Sequence, residues 1–558
     1  MYLAKIVSGT LVLLHHIAPA TGRPGPYTPP LLDASLEELR DGLESGVFTS
    51  VDLAAAYMAR IAEVNGELRA VTEINPDALA IAAERDAERR RAASPAELGP
   101  LHGIPVLLKD NIATRDRLNT TAGSFALLGA RVREDSTVAA RLRRAGAIIL
   151  GKTNMSQWAS WRSESTSAGW SAYGGQTVGA YFPGHDPSGS SSGSAVGASI
   201  GLAWAALGTE TAGSIIHPAH LNNVVGIKPT VGLTSRYLVV PLMEHQDTVG
   251  PLARTVRDAA ALLSVIVGPD SKDNYTSAIP WREPPDYVGA CRGDGRYGLE
   301  GRRIGVSRAL MALLPDQTVQ VAPQVFEAAL EILRSAGAEI VEDIPLPGLA
   351  LAALNDYNSV LCGADFLTNL PDKYLSLLET NPNNIRSLGD LRNFTHANPL
   401  EQQATRDTLS WDVSLARGLT NRSPAFWGNY TASLRAWGPL GLTGALKRHS
   451  LDAVVLPSTY ASLLAGALGT PVVSVPMGRT PRGSPLRRNA FGNLNQTAPN
   501  QPMGLGFAGA AFSELSLIEM AYAYEQRTLW RGRVKPFVQP WTEIADVVGG
   551  RCVPGQTT

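Results

Sequence analysis

The sequence has few cysteines, no excess of charge of either sign and no long apolar run. Its 558 residues include only Cys291, Cys362 and Cys552, which allow one disulfide bond at most and match no metal-binding spacing. Lysine and arginine number 49 against 50 aspartates and glutamates, and no basic stripe suggests binding to nucleic acid or an anionic membrane. No apolar run reaches the roughly 18 residues that a transmembrane helix needs. The sequence therefore excludes a disulfide scaffold and predicts no membrane span.

The composition is that of a large globular protein. Hydrophobic residues make up 44% of the chain and charged residues 18%. Length alone suggests roughly three or four domains, but we find neither an internal repeat nor a clear linker. We therefore expect one large domain over residues 34–535, with a loop at 21–33 before it and a tail at 536–558 after it.

The first twenty residues have the pattern of a secretory signal peptide. Residues 1–5 form a short basic start, residues 6–14 are mostly apolar, and residues 18–20 read Ala-Pro-Ala, an A-x-A cleavage pattern. The alternative is an ordinary mobile terminus, because Ser8, Gly9 and Thr10 interrupt the apolar region. Glycan acceptor patterns fit secretion, although several must be chance matches. They occur at Asn119, Asn154, Asn274, Asn393, Asn421, Asn429 and Asn495. We expect a secreted glycoprotein.

Alternating helix and strand patterns predict an α/β fold with a largely buried sheet. Periodic patterns predict helices at 35–43, 49–64, 76–93, 137–145, 193–200, 255–267, 325–336 and 513–525. Short apolar runs predict strands at 104–108, 147–150, 303–306, 339–341, 453–456 and 472–475. We expect a turn at 151–154, and residues 370–440 and 479–500 show no clean periodicity.

Three segments carry the residue types of a Ser-Lys acyl-transfer site. Residues 104–111 read Ile-Pro-Val-Leu-Leu-Lys-Asp-Asn and place Lys109 in an apolar run. If this lysine is buried, desolvation disfavours its ammonium form, and the neutral amine is a competent general base. Residues 188–195 read Ser-Gly-Ser-Ser-Ser-Gly-Ser-Ala and offer a relay hydroxyl. Residues 208–215 read Gly-Thr-Glu-Thr-Ala-Gly-Ser-Ile and offer a nucleophile beside backbone N–H groups that suit an oxyanion hole.

Two of these segments also have simpler interpretations. A lysine that closes an apolar strand most often extends its charge to the surface. The Gly/Ser segment is also typical of a linker, but it lies between well-patterned segments, and a phosphate loop would need Gly-Lys-Ser/Thr. Its G-x-S-x-G pattern would make Ser191 the nucleophile of an α/β-hydrolase elbow. That elbow requires an apolar strand directly before it, but residues 181–187 are turn-rich. It also requires a histidine late in the chain, and the candidates His396 and His449 stand in no recognisable context.

Together, the segments strongly resemble the amidase signature family. Residues 102–110 match the family pattern H-G-I-P-x-x-x-K-D, and Ser190 and Ser214 stand at the family spacing. Further stretches similar to the family lie at 151–154, 174–177, 225–230, 246–251 and 518–526. The resemblance is strongest over 100–265 and extends over about 34–530, with most likeness to bacterial peptide amidases and fungal secreted amidases.

The resemblance implies a role for each residue of the site. Lys109 would be the buried neutral base, Ser190 the bridging serine after a cis peptide bond from Gly189, and Ser214 the acyl nucleophile. Ser191 would support Lys109 through a hydrogen bond. Backbone N–H groups of the nucleophile turn would form the oxyanion hole, namely those of Thr211, Ala212, Gly213 and Ser214. The family fold implies a mixed central β-sheet covered by helices on both faces, and the reaction implies neither metal nor cofactor.

The sequence departs from the family at several positions. Many members have Gly or Asp at the position of Ala212, where a methyl group is harmless only if φ is negative. Ile216 stands where family members frequently have Arg, so an anionic acyl group of the substrate loses one expected anchor. Gln157 stands where family members commonly have Glu. His217 either lines the substrate pocket or packs as a hydrogen-bonded histidine. We expect an apolar substrate cleft, and its candidate lining residues are Met155, Trp158, Trp161 and Trp170.

These observations predict an amidase that converts a carboxamide to an acid and ammonia or amine through an acyl-Ser214 intermediate. The substrate would be a small-molecule or peptide amide, with no nucleic acid partner. One alternative is an amidotransferase subunit that passes ammonia to a partner, but the signal pattern and near-neutral charge count against it. Another is an inactive amidase-like binding protein, against which the complete set of Lys109, Ser190 and Ser214 counts. The sequence does not determine the oligomeric state.

Overall fold

One large mixed β-sheet organises the fold. The computed structural model describes residues 27–163, 165–293, 295, 297–313, 322–354 and 357–548, so that the predicted signal peptide at 1–20 and Cys552 lie outside the described residues. The strands are β1 Val71–Ile74, β2 Pro105–Lys109, β3 Arg131–Val132, β4 Ile148–Thr153, β5 Trp170–Ser171, β6 Gly175–Gln176, β7 Ala205–Glu210, β8 Val225–Lys228, β9 Thr248–Ala253, β10 Arg303–Gly305, β11 Glu339–Val341, β12 Leu378–Thr380, β13 Ala453–Pro457, β14 Val472–Arg479, β15 Arg487–Arg488, β16 Asn495–Thr497 and β17 Pro502–Ala508. Eleven of them form one sheet in the order β1-β4-β2-β7-β9-β8-β14-β17-β13-β10-β11.

Helices connect and cover these strands. The α-helices are Leu36–Glu44, Ser50–Leu68, Ala78–Arg91, Thr137–Arg144, Ser192–Ser199, Ile216–Leu221, Val256–Ile266, Arg308–Leu313, Pro323–Ser335, Leu349–Leu354, Tyr357–Lys373, Leu388–Ala397, Leu409–Arg417, Pro424–Trp437, Leu442–Arg448, Ser458–Gly466, Glu514–Thr528, Trp530–Arg533 and Ile544–Val548. Short 3-10 helices are Pro95–Glu97, Phe125–Leu127, Gln157–Ser160, Asn274–Ala278, Leu375–Leu377 and Pro399–Glu401. Among the described residues, no helix has the length and apolar character needed to cross a membrane.

The middle of the sheet brings the motifs of the candidate site to one edge. Strand β2 lies between β4 and β7 and is parallel to both, with Val106 opposite Ile149 on one side and Ala205 on the other. Because parallel strands end at the same edge, the carboxyl ends of β2 and β7 lie side by side there. These ends are Lys109 and Glu210.

Both faces of the sheet are buried, as the predicted fold requires. In β13, Ala453 and Val455 belong to one hydrophobic cluster, whereas Val454 and Leu456 belong to a second. Since successive side chains of a strand point to opposite faces, the two clusters lie on opposite sides of the sheet. Helix Val256–Ile266 contributes to the first cluster and helix Ser458–Gly466 to the second. The α/β fold with a mixed sheet and helices on both faces is therefore confirmed.

Most predicted elements are present, and two expectations change. The predicted turn at 151–154 is wrong, because β4 continues to Thr153 and pairs with β1 and β2 throughout. Residues 370–440, which lack clean periodicity, form several helices that pack around a third hydrophobic cluster with Trp411 and Phe426. Cys291 and Cys362 are buried and unpaired, so the structure contains no disulfide between them.

Candidate active site

Three structural elements converge on the candidate site. Lys109 is the last residue of β2, and the segment from Thr209 to Ser214 begins at the end of the neighbouring strand β7. The serines of the Gly/Ser segment lie directly before and within helix Ser192–Ser199. The side chains of Lys109, Ser190 and Ser191 have no exposed surface, while Ser214 retains 9% exposure. The linker interpretation is wrong, because residues 190–195 are buried and the segment continues into a helix.

Lys109 makes three hydrogen bonds inside the protein. Its Nζ lies 2.7 Å from Ser190 Oγ, 2.9 Å from Thr209 Oγ1 and 3.0 Å from the Thr209 carbonyl oxygen. Burial lowers the pKa of Lys109 to about 7, although the nearby carboxylates of Asp247 and Glu210 act in the opposite direction. A substantial part of this lysine is therefore an uncharged amine at neutral pH.

The partners of Lys109 orient its lone pair when the amine is neutral. A neutral amine has two N–H donors and one lone pair, and a carbonyl oxygen can only accept. The Thr209 carbonyl therefore takes one N–H. Thr209 Oγ1, which also accepts from Asn111 Nδ2 at 3.0 Å, takes the other. The lone pair then faces Ser190, whose hydroxyl donates to it, which is the arrangement a general base needs.

The peptide bond between Gly189 and Ser190 is cis, as the resemblance implies. The expected hydrogen bond from Ser191 to Lys109 is wrong. Ser191 Oγ donates to the Thr209 carbonyl at 3.1 Å and accepts from the Thr209 N–H at 3.3 Å. Ser191 therefore positions the residue that holds Lys109. No histidine contacts Ser191 in the described part of the chain, and it precedes a helix without a preceding strand, so the elbow interpretation is wrong as well.

Ser214 lies in a tight turn that is organised by Glu210. The buried Glu210 carboxylate accepts from the backbone N–H groups of Gly213, Ile215 and Ile216 at 2.8, 2.7 and 2.9 Å. The Gly213 N–H is thus occupied, which corrects its predicted place in the oxyanion hole. The predicted places of Thr211, Ala212 and Ser214 in the oxyanion hole stay predictions, and the N–H groups of Ala212 and Ser214 have no acceptor among the described residues. The Ser214 carbonyl accepts from the Ser191 N–H at 3.1 Å and ties the turn to the Gly/Ser segment.

Other members of the predicted site have defined surroundings. Thr211 donates its hydroxyl to the half-buried Asp247 at 2.6 Å. Ala212 does not have a positive φ, so its methyl group is accommodated without strain, whereas Gly213 has φ of +89°. The Ser214 hydroxyl makes no hydrogen bond to another described residue, so the structure does not join it directly to Ser190.

His217 packs against the nucleophile turn. A Cβ on Gly213 would lie 2.5 Å from the nearest His217 ring atom, and His217 Nε2 lies 2.6 Å from Ser462 Oγ. Because the Ser462 hydroxyl donates to the Thr459 carbonyl, it accepts from His217. The structure therefore favours the hydrogen-bonded packing role of this histidine.

The expected aromatic cleft is wrong in its main members. Met155 and Trp158 are buried within the third hydrophobic cluster, and Trp170 is 4% exposed, with the guanidinium of Arg406 at 4.1 Å from its ring centroid. Trp161 is half-buried against the same cluster. These side chains belong to the core because helices within residues 357–437 cover them. The sequence pattern did not reveal these helices.

Gln157 has a clear structural reason to be an amide. Its Nε2 donates to the buried Glu401 carboxylate at 2.6 Å, while its Oε1 accepts from Arg162 at 3.0 Å and from the Ala172 N–H at 3.2 Å. A carboxylate at this position would only accept and would face Glu401 directly. An amide therefore fits this position, because Glu401 is the acid that already pairs with Arg162.

A cavity of about 380 Å³ reaches the site from the side of Thr209 and Thr211. Its lining also includes Asn111, Asp247, Arg236 and Lys373. No sequence pattern indicated this cavity. Asp247, which also accepts from two backbone N–H groups, belongs to a stretch that matched the family without an assigned role.

Comparison with known proteins identifies the family. The family model described as Amidase matches residues 52–518. The chain belongs to the amidase family. It is 46% identical over 541 residues to a protein named "Putative amidase" from Arthroderma benhamiae, an alignment that covers 93% of this chain and 90% of the relative. The structure resembles native peptide amidase from Stenotrophomonas maltophilia with a TM-score of 0.78 and 39% identity, covering 93% of this chain and all of the other. This amidase is therefore a hydrolase that acts on amides.

A second group of relatives matches over a shorter range. One of them, a subunit of glutamyl-tRNA(Gln) amidotransferase from Chloroflexus aurantiacus, is 39% identical over 328 residues, which cover 59% of the amidase and 63% of that relative. The similarity to the amidotransferase is therefore partial, whereas the similarity to the amidases spans most of both chains.

Proposed function

We propose that this amidase hydrolyses carboxamides through an acyl-enzyme on Ser214, with Lys109 as base and Ser190 as relay. The observation that carries the proposal is the 2.7 Å contact between Lys109 Nζ and Ser190 Oγ, in a buried setting that leaves the amine partly neutral. Thr209 fixes the two N–H groups of the neutral amine, so that only its lone pair is left for Ser190. A base, a relay and a nucleophile with backbone donors then form one acyl-transfer site.

In the proposed reaction, Ser190 takes the proton of Ser214 while its own proton passes to Lys109. The Ser214 oxygen attacks the amide carbon, and the N–H groups of Ala212 and Ser214 stabilise the developing oxyanion. The proton on Lys109 returns through Ser190 to the leaving nitrogen, the C–N bond breaks, and ammonia or an amine departs. Water then attacks the acyl ester by the same relay and releases the acid, which leaves all three side chains as they began.

We further propose a small-molecule or peptide amide as substrate. The likeness to peptide amidase over nearly the whole chain supports this class. Hydrolysis by the purified chain alone is expected, since the match to amidotransferase subunits is partial.

The decisive experiment combines labelling with turnover. A serine-reactive fluorophosphonate should label the wild-type chain at Ser214, and the purified chain should release ammonia from simple carboxamides. Ser214→Ala should abolish both signals, while Ser474→Ala, which changes a buried serine whose hydroxyl contacts Ser458 away from the site, should retain labelling. Absence of both labelling and turnover in the folded chain would support the inactive binding protein. Turnover that depends on an added partner would support the amidotransferase, and either result would overturn the proposal.

A further inference from the structure

The fold assembles a basic surface that the linear sequence conceals. Residues 453–513 contain four arginines and no acidic residue, and residues 526–542 are likewise free of aspartate and glutamate. The remainder of the chain must then carry a clear excess of acid, since the total charge is −1. No basic run is visible in the sequence because the two stretches are separated by residues 514–525, which include Glu514, Glu519 and Glu525.

Asn500 joins the two acid-free stretches. Its Oδ1 accepts from Arg479 at 2.9 Å, and its Nδ2 donates to the Lys535 carbonyl at 3.0 Å. Ala498 and Val534 pack in one small apolar cluster beneath this contact. Thr480 Oγ1 donates to the Ala498 carbonyl at 2.5 Å and Thr497 Oγ1 to the Pro485 carbonyl at 3.0 Å, so the hairpin of β15 and β16 begins beside the same contact. We call the exposed surface of these adjoining segments the basic face. Its cations are all exposed, and no ion pair to any of them is found among the described residues; they are Arg479, Arg482, Arg487, Arg488, Arg533 and Lys535.

Large apolar side chains stand among these cations. Leu486 is 61% exposed and directly precedes the two arginines of β15, and Phe537 is 64% exposed two residues after Lys535. Phe491, on the same hairpin, is 40% exposed, and its ring centroid lies 4.1 Å from the guanidinium carbon of Arg406. Exposed apolar side chains that are rimmed by polar residues are typical of protein or membrane interaction sites.

We propose that the basic face binds the surface of an anionic lipid bilayer. Unpaired cations supply attraction to acidic headgroups, and Leu486 and Phe537 supply the apolar contact with the acyl boundary. A soluble polyanion would use the same arginines but would offer nothing to these apolar side chains. Contact of this kind is peripheral and lies at the level of the headgroups. Such contact would place the amidase beside substrates that partition into a membrane surface.

The test is sedimentation of the full chain with vesicles. The wild type should bind vesicles of phosphatidylcholine mixed with phosphatidylglycerol, and should not bind phosphatidylcholine alone. The double variant Arg487→Glu/Arg488→Glu should bind at least roughly 25-fold more weakly, because each cation near an anionic surface contributes about fivefold to the binding constant. The matched control is Arg90→Glu/Arg91→Glu, an equal charge change at two exposed arginines that end helix Ala78–Arg91.

Two further measurements decide the nature of the partner. Leu486→Ser should weaken the binding that survives high salt, with unchanged hydrolysis of a soluble amide and an unchanged melting temperature. Equal losses in the two arginine variants, or no vesicle binding by the wild type, would overturn the proposal. Binding to dextran sulfate or nucleic acid without binding to vesicles would overturn it too, in favour of a soluble polyanion.

Discussion

Replacement of Lys109 by Arg tests the chemistry of the site most directly. Arginine keeps the positive charge and the N–H donors, but it stays protonated and cannot serve as a base. With a pKa of about 7, Lys109 is about half neutral at pH 7, whereas a lysine at the ordinary 10.5 would be neutral in roughly three molecules of ten thousand. Burial therefore increases the usable base by roughly 10³-fold. We expect Lys109→Arg and Lys109→Met each to lose at least roughly 10³-fold in kcat/KM.

The same reasoning fixes the direction of the pH dependence. Only the unprotonated amine accepts a proton, so kcat/KM should be low below pH 7, rise through about 7 and then level off. The negative charge of Asp247 favours the ammonium form of Lys109. Asp247→Asn should therefore move this rise to lower pH.

Initial rates of ammonia release at a series of pH values measure both effects. Lys228→Arg is the matched control, because Lys228 is an equally buried lysine that donates to the Thr470 carbonyl outside the Lys109 network. Melting temperatures show whether each variant folds. The reasoning is refuted if folded Lys109→Met retains activity within tenfold of the wild type, or if the rise near pH 7 persists in Lys109→Arg.

Three other predictions concern the relay, the substrate and the maturation of the chain. Ser214→Ala should lose at least roughly 10³-fold in kcat, with no additional loss when it is combined with Lys109→Met. Ser190→Ala should lose somewhat less because water can bridge the gap, and Ser191→Ala should lose least. An inactive Ser191→Ala variant beside a near-normal Lys109→Met variant would contradict this order. Ile216 is fully buried where an arginine is frequent, so matched amides with and without an acyl-side carboxylate should show a preference for the neutral substrate, and a clear preference for the acidic one would count against it. The intact mass of protein from its native host, measured before and after deglycosylation, should show a chain that starts near residue 21 and carries Asn-linked glycan. The candidate glycan sites are the exposed Asn274 and Asn393 and the half-buried Asn429. An unmodified chain that starts at Met1 would oppose secretion.

The sequence predicts best those strands that are rich in large apolar residues. Strand β2 and the first part of β4 are continuous apolar runs because helices cover both of their faces. Strand β7 was missed, since its residues 205–210 read Ala-Ala-Leu-Gly-Thr-Glu, a composition with low strand propensity. Its small residues are required by close packing, because a Cβ on Gly208 would lie 2.8 Å from Ser191 Oγ. Gly-rich β17 was missed for the same reason.

The sequence indicated the side chains of the proposed relay but not the groups that hold them. Lys109, Ser190 and Ser214 stand in recognisable motifs, and the structure brings the first two into contact. Thr209 lies within the same motif, yet its double contact with Lys109 depends on the pairing of two strands that are far apart in sequence. Glutamate and threonine at a strand end have many ordinary uses, so residue type alone does not identify a positioning role.

Glu210 connects the two halves of the proposed mechanism. Its carboxylate takes the N–H groups of Gly213, Ile215 and Ile216, which leaves those of Ala212 and Ser214 free to face a substrate. The same negative charge acts on Lys109 and, together with Asp247, opposes the effect of burial on its pKa. Without these charges, burial would lower the pKa below about 7, and the amine would be a weaker base. Since a base works best with a pKa near the working pH, one buried acid both shapes the turn and keeps the lysine basic enough to accept a proton.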